Sequence, residues 1–277
     1  MVQYYHQGKE CCKMIYNASA RKQYKAQARE DIRARFWPTM LTVVLEVVPV
    51  VLISMIYEVG TQAISGDINS ANMGLYFNCM LIYLLATVLI AVPLEFGAKH
   101  YFVAQARGQE ASPMLVVSCF MSGKKYLTSI KLALGILLYS LGWVVLLSVA
   151  IVLIALFALI GSAPLVMIGV VLLIPLSMLI TVKVRRYDGA YICMIDTPDA
   201  SVMQAIRSCA PIFKNHNWEL MVFDLSFILW LLFGAVTCGI GMIYVDAYTE
   251  IAFVHYFDAL CGRTAQPNPP DLSQLTE

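Results

Sequence analysis

Six stretches of this sequence are each long and apolar enough to form a helix that crosses a bilayer, and that feature limits the fold more than any other. A spanning helix needs about 20 mostly apolar residues at 1.5 Å rise per residue. The stretches run from Pro38 to Tyr57, Leu75 to Phe96, about Leu132 to Ile160, Leu165 to about Val184, Leu220 to about Ile240, and Met242 to Leu260. Composition agrees: of 277 residues, 60% are hydrophobic and only 13% charged, where a soluble domain carries roughly 25% charged residues. Too little polar surface remains to cover a water-facing fold. A net charge of +1 also argues against nucleic acid as a partner. The expected fold class is therefore all-α, a polytopic transmembrane helical bundle of about six spans with cytoplasmic amphipathic helices.

The sixth stretch is the most ambiguous. Asp246, Glu250, His255 and Asp258 interrupt it, so an interfacial or re-entrant helix is the alternative to a full span.

Basic residues are retained on the cytoplasmic side of a membrane protein, and their distribution sets the topology. Eight precede the first span, five lie between spans two and three or at the start of the third, five between spans four and five, and Arg263 follows the sixth. The connections Glu58 to Gly74, Gly161 to Pro164 and Cys238 to Gly241 contain none. Six spans place all 19 on one side, with both termini in the cytoplasm of a cell-membrane protein; five spans would leave only Arg263 and the tail outside. The first apolar run begins behind a long polar segment, so it reads as an uncleaved signal anchor. The expected layout is a cytoplasmic segment over 1–37, a six-span membrane domain over 38–261 and a disordered cytoplasmic tail over 262–277.

Six of the eight cysteines map to the cytoplasmic side, where thiols stay reduced. Cys79 and Cys238 lie near the outer face, and nothing in the spacing brings them within bonding reach. The Cys11-Cys12 pair reads as two incidental thiols, with lipidation or metal binding as the alternative.

Two cytoplasmic stretches have helical periodicity. Ala20, Tyr24, Ala28, Ile32 and Phe36 recur every four residues, beside a basic stripe of Arg21, Lys25, Arg29 and Arg33. Such a helix is expected to lie along the inner membrane surface against anionic headgroups, with Trp37 at headgroup depth and Pro38 opening the next helix. Val202, Ile206, Cys209 and Phe213 form the second series, with Asp199 or Ser201 as its cap and Pro211 ending or bending it. A third, short interfacial helix is expected within Pro113 to Met121.

Ionisable groups within the apolar stretches cost roughly 2.5 to 3.5 kcal/mol each at a helix centre and call for an explanation. Glu46 lies well inside the first span, three residues before Pro49, whose missing amide frees a carbonyl at residue 45. Asp246, Glu250 and Asp258 share a face of the last helix, with His255 close by; Asp224 lies about a turn into the fifth span and Glu95 at the inner end of the second. Glu46, Asp224, Asp246, Glu250 and His255 form the candidate polar cluster. One reading is a cavity that binds a cation or relays a proton. The other is a set of carboxyls satisfied by backbone, tyrosine hydroxyls or interfacial water.

No zinc-binding His-Glu-x-x-His helix, Gly-x-Ser-x-Gly elbow or phosphate-binding loop is present. The four histidines are scattered, leaving little material for a metal site. The expectation is a non-enzyme with no cofactor and no metal, acting as an accessory or partner-binding component of a membrane transport or envelope system. A small secondary transporter or channel using the intramembrane carboxylates is the alternative.

Particular residues resemble a known family. Asn217-Trp218-Glu219-Leu220, the run Asp224 to Trp230, Thr237-Cys238-Gly239-Ile240-Gly241, Ala247-Tyr248 with Thr249, and Tyr256-Phe257 resemble the C-terminal signature of the bacterial integral-membrane family catalogued as domain of unknown function 975. Ala247 stands where that pattern has proline, and Tyr256-Phe257 reverses its Phe-Tyr pair. The segment Arg21 to Trp37, the run Pro93 to Gly97, and Arg207-Ser208 ahead of Lys214 also look like family positions. The resemblance implies a multi-spanning membrane protein and carries no established activity.

Overall fold

The computed structural model describes residues 18–64, 70–214, 216–237 and 239–263; the Cys11-Cys12 pair, Cys238 and all of the expected C-terminal tail but its first two residues lie outside them. Helices account for nearly all of it, and no strand occurs among the described residues. In chain order they are α1 (Ala18–Ala34), α2 (Phe36–Ile64), α3 (Ser70–Ala86), α4 (Val92–Ala106), α5 (Ser118–Met121), α6 (Gly123–Leu159), α7 (Ala163–Arg185), α8 (Gly189–Asp196), α9 (Val202–Ile212), α10 (Asn217–Leu225), α11 (Ile228–Val236) and α12 (Ile240–Leu260). One π-helical turn, Thr87–Ala91, joins α3 to α4, and a 3₁₀ turn, Pro113–Leu115, precedes α5.

Five helical segments are long and apolar enough to cross a membrane: Phe36–Ile64, Met73–Ala106, Gly123–Leu159, Ala163–Asp196 and Asn217–Val236. The protein is an all-α, multi-pass membrane bundle. The sixth expected span, α12, is not among the five, because its acidic residues and His255 dilute its hydropathy. It nevertheless runs antiparallel along α10 and α11. Ring pairs Trp230–Tyr244 at 5.9 Å, Phe227–Tyr248 at 5.1 Å and Phe223–Tyr256 at 5.1 Å step down the two partners in opposite directions. The hairpin turns at Gly239, whose φ of 86° is in the left-handed region that favours glycine, and Thr237 Oγ1 accepts the Gly241 amide at 2.9 Å. Arg263 thus returns to the same end of the molecule as Asn217.

Several helices are longer than a bilayer requires. The 37 residues of α6 extend about 55 Å, against a hydrocarbon core of roughly 30 Å. The excess divides the molecule into two zones. In the apolar zone, Leu52, Ile56, Leu84, Leu138, Leu153 and Val171 are exposed, and the most apolar windows of Met73–Ala106 and Gly123–Leu159 bury nothing inside the protein. At the other end α1, α4, α8, α9, α10 and α12 enclose a dense core that includes Tyr101, Phe102, Ile206, Phe213, Tyr248 and Phe257. We call this end the base.

The amphipathic series form helices, with one correction. The apolar stripe of α1 does not face lipid: Ala28 and Ile32 are fully buried, α1 packs along α12, and the Tyr24 and Tyr256 rings meet edge to face at 6.0 Å. The aromatic surface of α12 offers the stripe the same apolar burial that lipid would; His255 on α12 adds a polar partner for Asp31, and the break between α10 and α11 adds one for Lys25. α9 follows the expected pattern. The Ser201 hydroxyl accepts the Gln204 amide at 3.2 Å, Ile206, Cys209 and Phe213 point into the core, and Pro211 lies in the last turn. The segment Pro113 to Met121 forms a 3₁₀ turn and the single turn of α5. Its close seat on α4 depends on Gly97, where a Cβ would collide with the backbone of Leu115 and Val116.

Candidate functional site

Glu250 lies midway along α12, at the border between the two zones, and both of its carboxylate oxygens are engaged. Arg185 Nη1 at the end of α7 donates to Oε1 at 2.9 Å, and Lys99 Nζ on α4 donates to Oε2 at 3.4 Å. Arg185 also donates to Asp188 Oδ2 at 2.7 Å and lies 4.0 Å from Asp224. Lys99 lies 3.6 Å from Glu95 and 3.9 Å from Asp188. Aromatic faces close the site: Arg185 stacks 4.5 Å from the Phe253 centroid and Lys99 lies 4.8 Å from that of Tyr191. With side-chain exposures of 11% for Lys99, 16% for Glu250 and 20% for Arg185, these charges are shielded from bulk solvent. Mutual pairing offsets their desolvation, since each cation has three carboxylates within 4.0 Å.

A second charged group lies two turns further along α12. Arg107 grips Asp258 with two hydrogen bonds, at 2.9 and 2.8 Å, and donates to Asp196 at 2.5 Å. Arg263 also donates to Asp196, and to Asp258 at 3.3 Å. Burial works against the charge on Arg107, but the hydrogen bonds to Asp258 and Asp196 outweigh it and hold the guanidinium above its ordinary pKa. This fork geometry clamps the ends of α4, α8 and α12 together.

Of the five predicted cluster residues, the structure brings four to one region. Glu250 is its centre. Asp224 has one oxygen near Arg185 and the other, Oδ2, buried with no hydrogen-bond partner among the described residues. Glu46 and Asp246 are within electrostatic reach of each other and of Glu95, Lys99 and Glu250. His255 is not part of it: its Nε2 meets Asp31 Oδ2 at 2.7 Å, on the face of α12 that α1 covers. Asp31 is further tied down through its carbonyl, which accepts from Gln105 Nε2 at 2.9 Å, while Thr39 donates to Gln105 Oε1 at 2.9 Å.

The basic stripe separates in the same way. Arg29 and Arg33 face solvent, and Arg21 is half-buried. Lys25 turns inward, donating to the Ser226 carbonyl at 2.7 Å and covering the Phe227 ring at 3.9 Å. Ser226 and Phe227 are the break between α10 and α11, so Lys25 neutralises carbonyl charge at a helix C-terminus. Burial first, then Arg21 and Arg29, lower its pKa to about 8.

Sequence reasoning missed the cations. Lys99, Arg107, Arg185 and Arg263 read there only as markers of sidedness, although Glu95 with Lys99 at i,i+4 and Arg185 with Asp188 at i,i+3 are short-range pairing signals. The partners that matter most are 65 and 151 residues away from Glu250 in sequence.

Chemically, the arrangement is a set of fixed charges. Among the described residues no group of three His, Cys, Asp or Glu side chains is placed to hold a metal. Burial keeps the Cys209 thiol protonated and pushes Cys261 up to about 12. An open hollow lined by Met167, Ile168, Val171 and Leu172 lies further up α7 and has no polar lining residue.

No curated protein and no solved structure is detectably similar to the chain. Residues 14–264 match the profile of a family described as a protein of unknown function, DUF975. That match spans both zones, the charged core and the antiparallel hairpin that carries Glu250, and the chain therefore belongs to the DUF975 family.

Proposed function

We propose that this protein is a non-enzymatic component of the cell membrane, with both termini cytoplasmic, whose base is a rigid platform for a membrane-protein partner. The observation that carries this reading is Glu250, held on both oxygens by Arg185 and Lys99. A carboxylate that relays ions must exchange partners during a cycle, whereas this one joins α4, α7 and α12. Exposed Arg29 and Arg33 suit anionic headgroups at the cytoplasmic surface. The platform role predicts that purified protein in sealed proteoliposomes moves neither protons nor monovalent cations, read with an internal pH dye and a membrane-potential dye. A flux abolished by Glu250→Gln would refute it.

One observation favours a second reading, a small secondary transporter. Among the described residues, Glu46 and Asp246 adjoin the charged core without an ion pair, and Asp224 Oδ2 is buried without a hydrogen-bond partner. Surplus acid beside two cations is what a proton-coupled site needs. In the same vesicles, flux lost in Glu46→Gln and kept in Leu138→Ala would select this alternative. A reporter fused behind Glu277 tests the orientation, with activity expected inside the cell.

A further inference from the structure

The connector between α4 and α6 holds large apolar side chains outside the protein on a backbone that is firmly seated. Val116 and Cys119 are fully buried, and the Val116 backbone lies against Gly97 so closely that no side chain fits between them. From this fixed segment Met121 and Met114 extend outward, 86% and 67% exposed, with Phe120 nearly half exposed beside them. A loop facing only water has no reason to be fixed with its apolar residues outward.

Continuity says what covers them. The Phe120 ring packs on Tyr126 at 5.6 Å, and the Tyr126 hydroxyl donates to the Leu89 carbonyl at 3.0 Å. Leu89 is itself exposed in the apolar span Met73–Ala106. The patch therefore continues the surface that faces lipid. Charge borders it in the order an interface demands: Lys124 and Lys125, both exposed, follow Met121 after Ser122 and Gly123. Lys124 lies 3.3 Å from Asp199, whose side chain is 95% exposed. A pair that open to water is weak, so a lipid phosphate can replace the carboxylate.

We propose that this connector is an interfacial anchor for an anionic lipid surface. Met114, Phe120 and Met121 enter the acyl border of one leaflet, and Lys124 and Lys125 meet phosphate headgroups, in the manner of a basic amphipathic segment lying on a membrane. The anchor sets how deeply α4 and the charged core are seated, and it holds whether or not the protein transports.

The test uses the full chain in nanodiscs of phosphatidylglycerol and phosphatidylcholine. The photo-crosslinking residue p-benzoylphenylalanine is placed at position 120, 121 or, as a polar control in the same connector, 110. Mass spectrometry should find lipid adducts at 120 and 121 and none at 110. Adducts absent everywhere, or equal at all three positions, overturn the proposal. So does crosslinking of 120 and 121 to another polypeptide in native membranes in place of lipid, which would make the patch a protein-docking surface. With Lys124→Glu and Lys125→Glu together, the phosphatidylglycerol share of adducts should fall by roughly fivefold or more, the enrichment that headgroup attraction for even one lysine supports. An unchanged share removes the anionic headgroup from the proposal.

Discussion

Tyr101 on α4 and Leu138 on α6 both lie within helical segments apolar enough to span a membrane, yet Tyr101 is fully buried and Leu138 two-thirds exposed. The two positions stand for the two zones. Leu138 and its neighbours need only be apolar, because lipid tails accept any hydrocarbon surface and leave little driving force for one specific partner. Tyr101 has named neighbours: its ring meets Phe102 edge to face at 5.9 Å and its hydroxyl lies 3.4 Å from Thr39 Oγ1. Position in one zone is set by solvent and in the other by partners, so substitutions should have unequal effects.

The largest contrast is expected at the charged core. Glu250→Ala removes the acceptor that binds Arg185 and Lys99 on both its oxygens and leaves them only Asp188, Asp224 and Glu95, a loss of about 3 kcal/mol. Thermal unfolding in detergent should show it as a marked fall in Tm. Leu138→Ala, in the apolar zone, should barely move the transition. Equal shifts would break the distinction between zones.

Backbone contact comes next. Gly97→Ala drives a methyl into the Val116 carbonyl and should cost about 1–3 kcal/mol, the usual range for overpacking. Gly142, also in a spanning helix, has nothing within 4 Å of a new Cβ, so Gly142→Ala should be neutral or slightly stabilising in the same assay. Loss of a helix cap is smaller: Ser201→Ala removes the acceptor for the Gln204 amide at about 1 kcal/mol. Amide hydrogen exchange should be faster in the first turn of α9 and unchanged in α6.

The smallest effect is a slope. The pKa of Lys25 is about 8 in the folded chain against an ordinary value of 10.5. Between those pH values the unfolded chain binds more protons at this site, so its contribution to stability rises with pH through the window. The penalty for burying the ammonium applies in full below pH 8 and is gone above 10.5. Lys25→Met should flatten that part of the stability profile, and an unchanged profile would mean that the α1 contact at the helix break is open to water.

Much of this layout was legible in the sequence because the responsible forces act locally or through a solvent of one kind. Runs of apolar residues marked the spans, the i,i+4 series marked α1 and α9, and the short connection Cys238 to Gly241 marked the hairpin turn. The charged core was half legible. Insertion cost drew attention to Glu46, Asp224, Asp246 and Glu250, but not to Lys99 and Arg185, whose positions at span ends already had a sufficient explanation in sidedness. His255 read as a member of the cluster because it is close to Glu250 in sequence, yet five residues at 3.6 per turn carry it round to another face of α12, toward Asp31. Lys25 read as one of four equivalent surface cations until the break at Ser226 was seen to present a carbonyl to it.

By itself the sequence determined that the chain is helical, enters the membrane several times and keeps its basic residues away from the short connections, since each of these follows from hydropathy, helical period and charge without reference to a distant residue. Tertiary structure alone decided that α12 is an interior helix shared between two charged groups, that the apolar stripe of α1 faces protein and not lipid, and which cation meets which acid. Those outcomes depend on contacts between residues many turns apart. A buried charge is stable only beside its partner, and which partner it meets is known only once the helices have packed.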